Sequence, residues 1–357
     1  MSNRASRPDT TIASTIIIIV VIITVTTSTS YYAINYSSET VIQSTAVTSR
    51  PTTSSSGPSP SVVTTVGDAG LSYVAANDPA KGEQFITNYA AGSVQVISDV
   101  SDAVVATITV GASPYGAVYD AVKGETFVSN EGSNSVSVIS DDSNKVVATV
   151  GVGNSPLGVA LDPAKGEVFV ANTDSNTISV ISDSTNAVVA TVKVGSEPSN
   201  MVYDSAKGEM FVNSPHWRAP PYDDIVYVIS DSNNEVVANV TVGTAPYTLA
   251  YDPAKGEVFV TDFESNTVSV ISDSTNKVVA TITGFNFPYG VAYDPAKGEV
   301  FTTNYGSHSV SVISDSSDSV VATVVVPTIP LGIGYDQAKG EMFVTGNSNS
   351  IVILSEG

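Results

Sequence analysis

The chain has 357 residues and no cysteine, and its 35 acidic against 14 basic residues give a formal net charge of −21. The absence of cysteine excludes a disulfide scaffold, a Cys-ligated metal centre and a thiol nucleophile. Clustered Lys and Arg are missing, which argues against a nucleic-acid partner because a phosphate backbone is recognised by concentrated positive charge.

Residues 1–30 form the first predicted segment, in which Arg4 and Arg7 precede an almost wholly apolar run. This order is typical of a secretory signal peptide or of an uncleaved signal anchor. A helix over residues 11–30 would be about 30 Å long, which is sufficient to cross the hydrocarbon layer. We expect a transmembrane anchor, with cleavage before Tyr31 as the alternative. Either way, the C-terminal mass lies outside the cytoplasm, and the anchored form contacts the membrane through this segment.

Residues 31–61 form the second segment, which is rich in Ser, Thr and Pro. Such a composition cannot bury a core, and it predicts an extended stalk that is open to O-glycosylation. Two Asn-x-Ser/Thr acceptor sequons, at Asn35 and Asn239, agree with an external address.

The remaining segment, residues 62–357, repeats itself. Its clearest marker is the tripeptide Lys-Gly-Glu, whose copies are spaced 42, 42, 42, 48, 42 and 42 residues apart. A period of this length indicates a propeller or a solenoid, and seven copies is a common number of propeller blades. The copies begin at Lys81, Lys123, Lys165, Lys207, Lys255, Lys297 and Lys339.

Each repeat contains four short apolar runs, as in Gly158 to Gly195. Runs rich in Val, Ile, Phe and Tyr between Gly, Asp, Asn and Pro predict strands. The last repeat stops after its third strand, and Val62 to Val66 has the pattern of the missing fourth. We therefore predict an all-β, seven-bladed propeller with four-stranded antiparallel blades, whose ring is closed when the N-terminal strand joins the last blade.

The second strand of the repeat reads Phe-Ile-Thr-Asn at 85–88, Phe-Val-Ser-Asn at 127–130, Phe-Val-Ala-Asn at 169–172 and Phe-Thr-Thr-Asn at 301–304. Together with Val-Ile-Ser-Asp and Pro-Tyr-Gly-Val-Ala-Tyr-Asp, these segments resemble the YVTN-type β-propeller repeat of archaeal and bacterial envelope and surface-layer proteins. The resemblance implies a cell-surface location and a scaffold or binding role, and it transfers no catalytic residue. The motif is interrupted at Ser214, Asp262 and Gly346.

Blade four carries a six-residue insertion between its second and third strands, with the chain's only Trp and the only Arg of the repeat region. Trp217 would stack on a carbohydrate or peptide, and Arg218 would hold a carboxylate. Alternatively, the insertion caps the blade and Arg218 pairs with Asp223 or Asp224. The predicted ligand-binding residues are His216, Trp217, Arg218, Tyr222 and Asp223, with Asn200 and Thr248, which replace a glycine of other blades.

The loops on the same face as this insertion are expected to form a concave, aromatic-lined surface around the channel. Their aromatic residues are Tyr89, Tyr115, Tyr247, Phe263, Phe285, Phe287, Tyr289 and Tyr305. By contrast, the recurring Lys-Gly-Glu lysines and Val-Ile-Ser-Asp aspartates are interpreted as turn and solvation features.

Support for catalysis is small, because no Gly-x-Ser-x-Gly elbow, Walker loop or dinucleotide fingerprint is present. His216 and His308 lie on equivalent loops without metal-ligand spacing, and weak calcium binding to the acidic loops stays an alternative. We predict a non-catalytic interaction or scaffold module that needs no cofactor and contacts other cell-surface proteins or glycans. The alternatives are a carbohydrate- or peptide-binding module using the blade-four loop, and a propeller enzyme such as a lactonase or oxidoreductase.

Overall fold

The structure, a computed structural model, describes residues 60–67, 73–215, 224–346 and 350–355. These residues belong to one compact unit, Ser55–Gly357, and form 28 strands in seven four-stranded antiparallel sheets. The predicted N-terminal helix and residues 31–59 of the predicted stalk lie outside the described residues. Within the described ranges, no helix is long and apolar enough to span a membrane.

The strands of the first three blades follow a closing strand, β1. They are β1 (Ser61–Gly67), β2 (Ala75–Asp78), β3 (Glu83–Asn88), β4 (Ser93–Ser98), β5 (Ala103–Thr109), β6 (Pro114–Asp120), β7 (Glu125–Asn130), β8 (Ser135–Ser140), β9 (Lys145–Gly151), β10 (Pro156–Asp162), β11 (Glu167–Asn172), β12 (Thr177–Ser182) and β13 (Ala187–Lys193). Two single 3-10 turns, Glu131–Ser133 and Thr173–Ser175, follow β7 and β11.

The strands of the last four blades continue in the same order. They are β14 (Met201–Asp204), β15 (Glu209–Ser214), β16 (Ile225–Ser230), β17 (Glu235–Thr241), β18 (Pro246–Asp252), β19 (Glu257–Asp262), β20 (Thr267–Ser272), β21 (Lys277–Thr283), β22 (Pro288–Asp294), β23 (Glu299–Asn304), β24 (Ser309–Ser314), β25 (Ser319–Val325), β26 (Pro330–Asp336), β27 (Glu341–Gly346) and β28 (Ser350–Ser355).

The turn between the first two strands of a blade follows from its Asp-Pro-Ala-Lys-Gly-Glu sequence. In blade three, the Asp162 carboxylate accepts hydrogen bonds from the backbone N–H groups of Ala164, at 2.9 Å, and Lys165, at 3.3 Å. Gly166 then takes a φ of +63°, which a residue without a Cβ adopts at no steric cost. The structure thus places the lysines of the recurring Lys-Gly-Glu tripeptide in turns, as the sequence predicts.

Seven hydrophobic cores fill the spaces between neighbouring blades. The second strand of every blade contributes one fully buried phenylalanine, because each blade packs through both faces of its sheet. The core between blades seven and one contains Ile86, Ile97, Phe343, Ile351 and Ile353, so the array closes into a ring. The seven phenylalanines are Phe85, Phe127, Phe169, Phe211, Phe259, Phe301 and Phe343.

The N-terminal strand completes the last blade, as predicted. Strand β1 pairs antiparallel with β28, with Val62 opposite Leu354 and Val66 opposite Ile351. The last sheet therefore runs β1-β28-β27-β26 and has the same number of strands as the others. The seven-bladed, four-stranded antiparallel fold is confirmed.

The outermost strand of each blade contains a β-bulge, which protects its open edge. The bulge lies at the second valine of the strand, as at Val105 between the pairs Val96–Ala106 and Ile97–Val104. A bulge twists an edge strand and disrupts the ladder that another chain would need for pairing. This explains how exposed, valine-rich strands surround the propeller without forming a flat, continuous edge.

Neighbouring blades are also tied together beside the Lys-Gly-Glu turns. Lys165 of blade three reaches Asp231 of blade four, with 3.1 Å between Nζ and Oδ1. The Tyr203 hydroxyl donates to the same carboxylate at 2.8 Å. Asp99, Asp183 and Asp273, the equivalents of Asp231, are less than one-tenth exposed. The structure thus corrects the interpretation of these aspartates as solvation features, because they lie inside the seams between blades.

Candidate functional site

The antiparallel order of the strands sorts the connections onto two faces. The loops between second and third strands, and those between successive blades, lie on one face, which we call the loop face. The turns between first and second strands and between third and fourth strands lie on the opposite face. The predicted insertion falls between β15 and β16, whose consecutive ends lie on the loop face, and its residues 216–223 lie outside the described residues.

Four tyrosines meet where the channel reaches the loop face, and we call them the tyrosine cluster: Tyr73, Tyr115, Tyr247 and Tyr289. Each lies five residues before the aspartate that ends an innermost strand. The rings of Tyr73 and Tyr115 stack with centroids 4.7 Å apart. The hydroxyls of Tyr115 and Tyr247 are 3.3 Å apart, and Tyr247 also hydrogen-bonds the Tyr289 hydroxyl.

All four members of the tyrosine cluster stay protonated at physiological pH. Burial raises the pKa of each phenol above its usual value, and proximity of other cluster members adds to the effect at Tyr73, Tyr247 and Tyr289. The cluster is therefore a neutral hydrogen-bonded unit that can both donate and accept, and not a source of phenolate.

A second set of rings, which we call the aromatic patch, extends from Tyr289 over blades five and six. Its members are Phe263, Phe287, Tyr289 and Tyr305. The ring centroid of Phe263 is 5.1 Å from that of Phe287 and 6.1 Å from those of Tyr289 and Tyr305. Phe287 is 40% exposed, and Phe263, Tyr289 and Tyr305 are half-buried. These rings present apolar surface that a ligand can cover.

The structure brings together seven of the eight aromatic residues that were predicted for this face, and it corrects the eighth. Phe285 is only 8% exposed and packs in the core between blades five and six. Tyr73 was not predicted for this face, because blade one lacks the proline that precedes the equivalent position in the other blades. The signal in the sequence is its position five residues before Asp78, the same separation that the other three tyrosines have from their aspartates.

A belt of hydrogen bonds beneath the tyrosine cluster joins the blades. Thr261 Oγ1 accepts from the Thr248 N–H of its own blade at 3.0 Å and donates to the Tyr289 carbonyl of the next blade at 2.8 Å. Thr87 and Thr303 make the same donation to the carbonyls of Tyr115 and Leu331. The carbonyls thus point toward neighbouring blades.

Asn200 and Thr248, two of the predicted ligand-binding residues, take part in this belt. Asn200 is 8% exposed, and its Nδ2 donates to the Tyr247 carbonyl at 2.8 Å. The Thr248 hydroxyl donates to the Tyr289 carbonyl. Both side chains therefore hold polar contacts between blades, and their replacement of glycine has a structural reason beside any role in binding.

The channel contains a cavity of about 170 Å³ next to the tyrosine cluster. The cavity is lined by apolar side chains of the innermost strands and by four polar residues, Tyr73, Tyr289, Asn200 and Thr248. Space of this size accommodates a few water molecules or a small fragment, and not an oligosaccharide. A larger ligand therefore cannot lie inside this cavity.

Among the described residues of this face, Asp262 is the one buried carboxylate, and the repeat does not explain it. It replaces the asparagine that ends the second strand in other blades, and its Oδ2 accepts from Thr267 Oγ1 at 3.0 Å and Ser269 Oγ at 2.7 Å. The residue is fully buried, and burial raises its pKa to about 7. Asp262 adjoins Phe263 and adds a titratable group beneath the aromatic patch.

The remaining predicted site residues, His216, Trp217, Arg218, Tyr222 and Asp223, lie outside the described residues. Their assignment as ligand-binding residues stays a prediction. In the part of the chain that the structure describes, no group of three or more His, Asp or Glu side chains has an arrangement that would hold a metal ion. His308 is exposed and takes a φ of +51° in its loop.

The fold and the channel geometry define a seven-bladed β-propeller. Among solved structures, hydrazine synthase of Kuenenia stuttgartiensis is similar, with a TM-score of 0.72 and 18% identity over 80% of this chain and 96% of the other. At that identity the likeness extends to the fold alone. No family model and no curated protein matches the chain. Membership of the YVTN-type repeat family accordingly stays a prediction carried by the repeats.

Proposed function

We propose that this protein is a non-catalytic interaction module, displayed outside the cell, that holds its partner on the loop face. The predicted anchor and stalk supply the tether, and other cell-surface proteins or glycans are the partners. One observation carries the proposal: partly exposed rings are gathered beside the channel mouth of an otherwise regular repeat. Residues that occur once in a repeat array are free from the constraint of building every blade.

The aromatic patch fits recognition better than catalysis. Its rings can stack on a ligand, and Glu264 and Asp224 beside it supply carboxylate groups at the surface. Most of the polar groups of the underlying belt are occupied by bonds between blades, so they hold the platform rigid. The enzyme alternatives depend on His216 and Arg218, outside the described residues, and they stay predictions.

The full-length protein tests this function on glycan and peptide arrays. We expect a saturable partner whose binding falls at least tenfold in Phe287→Ala and Tyr305→Ala. Val321→Ala is the matched control, because Val321 is 55% exposed on the rim and far from the loop face. Surface biotinylation of intact cells checks the display. A protein that is not labelled, or a partner whose binding is equal in all variants, would contradict the proposal.

A further inference from the structure

Positive charge is distributed very unevenly between the two faces. Nine of the ten lysines in the described residues lie on the opposite face, seven of them in the Lys-Gly-Glu turns. The other two, Lys145 and Lys277, begin outer strands there. Lys193, at the end of β13, is the one described lysine on the loop face, and it is on the rim. A cation approaching the aromatic patch thus meets no described lysine beside it.

Acidic side chains lie on both faces, and those of the loop face are accompanied by one described lysine, Lys193. Five acidic side chains of the loop face are exposed or half-buried, and they come from blades two to five and the connections between them. Clustered charge of one sign raises the local concentration of the opposite ion. The loop face therefore attracts cations and repels anions. The five are Glu131, Asp174, Glu197, Asp224 and Glu264.

The aromatic patch adds a specific means of holding a cation. Phe263 stands edge-on to Tyr289 and steeply tilted to Tyr305, with interplanar angles of 81° and 61°. Tyr289 and Tyr305 are closer to parallel, with an interplanar angle of 27° and centroids 6.5 Å apart. An ammonium group is attracted to a π-face within about 6 Å of its centroid. Glu264, exposed and next to Phe263 in the chain, supplies a carboxylate beside the rings.

We propose that the group recognised on the aromatic patch is a quaternary ammonium group. This inference rests on the proposed function and names the chemistry of its ligand. Rings alone would also suit a neutral sugar. Glu264 beside the rings, without a described lysine on the neighbouring loops, favours a cation, because a carboxylate is not needed to stack a neutral ring.

The test compares choline with 3,3-dimethyl-1-butanol, its uncharged isostere, on the full-length protein by isothermal titration. The two probes have the same shape, so hydrophobic contact alone would bind them equally. We expect choline to bind at least tenfold more tightly, and its affinity to fall with added salt. Equal affinity for the two probes, or binding of neither, would overturn the inference.

Three variants locate the site. Phe287→Leu keeps an exposed apolar side chain but removes the π-face, and we expect at least a fivefold loss of choline affinity. Glu264→Gln should give a two- to threefold loss, and Val321→Ala should change nothing. Choline binding that is unaffected by Phe287→Leu and Glu264→Gln would place the cation elsewhere and overturn the inference. A neutral oligosaccharide that depends on Phe287, without choline binding, would overturn it and leave the proposed function standing.

Discussion

The phenolic oxygens of Tyr115 and Tyr247 lie 3.3 Å apart, although 132 residues separate the two in the chain. Tyr115 belongs to blade two and Tyr247 to blade five, so this hydrogen bond spans the central channel. Tyr247 also bonds the Tyr289 hydroxyl, and Tyr73 stacks on Tyr115. The tyrosine cluster thus links four blades and closes the channel toward the loop face.

Removing either hydroxyl should weaken this link. A neutral hydrogen bond contributes about 0.5 to 1.5 kcal/mol, so we expect Tyr115→Phe to cost about 1 kcal/mol in the free energy of unfolding. Tyr247→Phe should cost more, because its hydroxyl has two partners. Urea denaturation of both single variants and of the double variant checks this. Strictly additive losses would show that the two hydroxyls do not interact in solution.

A glycine in the innermost strand gives a second prediction. A Cβ on Gly158 would lie 2.5 Å from the Ser199 carbonyl oxygen and 2.7 Å from the Asn200 Cα, both backbone atoms of the next blade. The Gly158 N–H also donates to that carbonyl at 2.8 Å. We expect Gly158→Ala to separate blades three and four and to cost about 1 to 3 kcal/mol, measured by chemical denaturation.

Gly151 is the matched control for this substitution. It ends an outer strand, and a Cβ there would meet no atom within 4 Å. Gly151→Ala should therefore be neutral or slightly stabilising, since alanine has less backbone entropy to lose. If both variants lost stability equally, the loss in Gly158→Ala could not be attributed to contact between blades three and four.

Much of this fold could be predicted because the repeat determines its elements locally. The turn at Gly166 and the strand β1 can each be recognised from a sequence pattern of a few residues. The contact between Tyr115 and Tyr247 could not be predicted in this way. It depends on the width of the channel, which is set by the packing of all seven blades, and no local pattern encodes that width.

The candidate site was predictable only in part for a related reason. Deviation from the repeat pointed to Asn200 and Thr248, yet the structure uses both in the belt between blades. Deviation from a repeat therefore identifies a change in packing as readily as a binding residue. The aromatic residues were found because ring-bearing loops on one face must meet near the channel, a consequence of topology.

Asp262 predicts how stability depends on pH. Its folded pKa is about 7, above the ordinary value of 3.8, so between these values the folded state holds a proton that the unfolded state releases. The free energy of unfolding is therefore highest, as far as Asp262 is concerned, below about pH 4, and it falls as the pH rises toward 7. Asp262→Asn removes the cost of ionising a buried carboxyl group, and asparagine is the residue that other blades have at this position. We expect the variant to be more stable at pH 8, by on the order of 1 to 3 kcal/mol.

Thermal unfolding of wild type and Asp262→Asn at pH 5 and pH 8 measures this difference. Asp99 provides an internal check, because burial and the nearby Asp336 raise its pKa to about 7 as well. The variant should therefore retain part of the wild-type pH dependence. A gain of stability that was the same at both pH values would indicate that hydrogen bonding to Thr267 and Ser269, and not ionisation, distinguishes the two side chains.

The stability of the ring depends on the pairing of β1 with β28, two strands that are far apart in the sequence. Deleting residues 61–67 would expose the edge of β28, whose Ile353 and Leu354 are fully buried, and would uncover the cores on both sides of blade seven. We expect a fall of more than 10 °C in Tm and a gain in aggregation, because an open edge strand pairs with other chains. Calorimetry and size-exclusion chromatography measure the two effects, with deletion of residues 40–46 as the length-matched control. An unchanged Tm would refute closure by β1, since a ring with one three-stranded blade would then be as stable as the complete one.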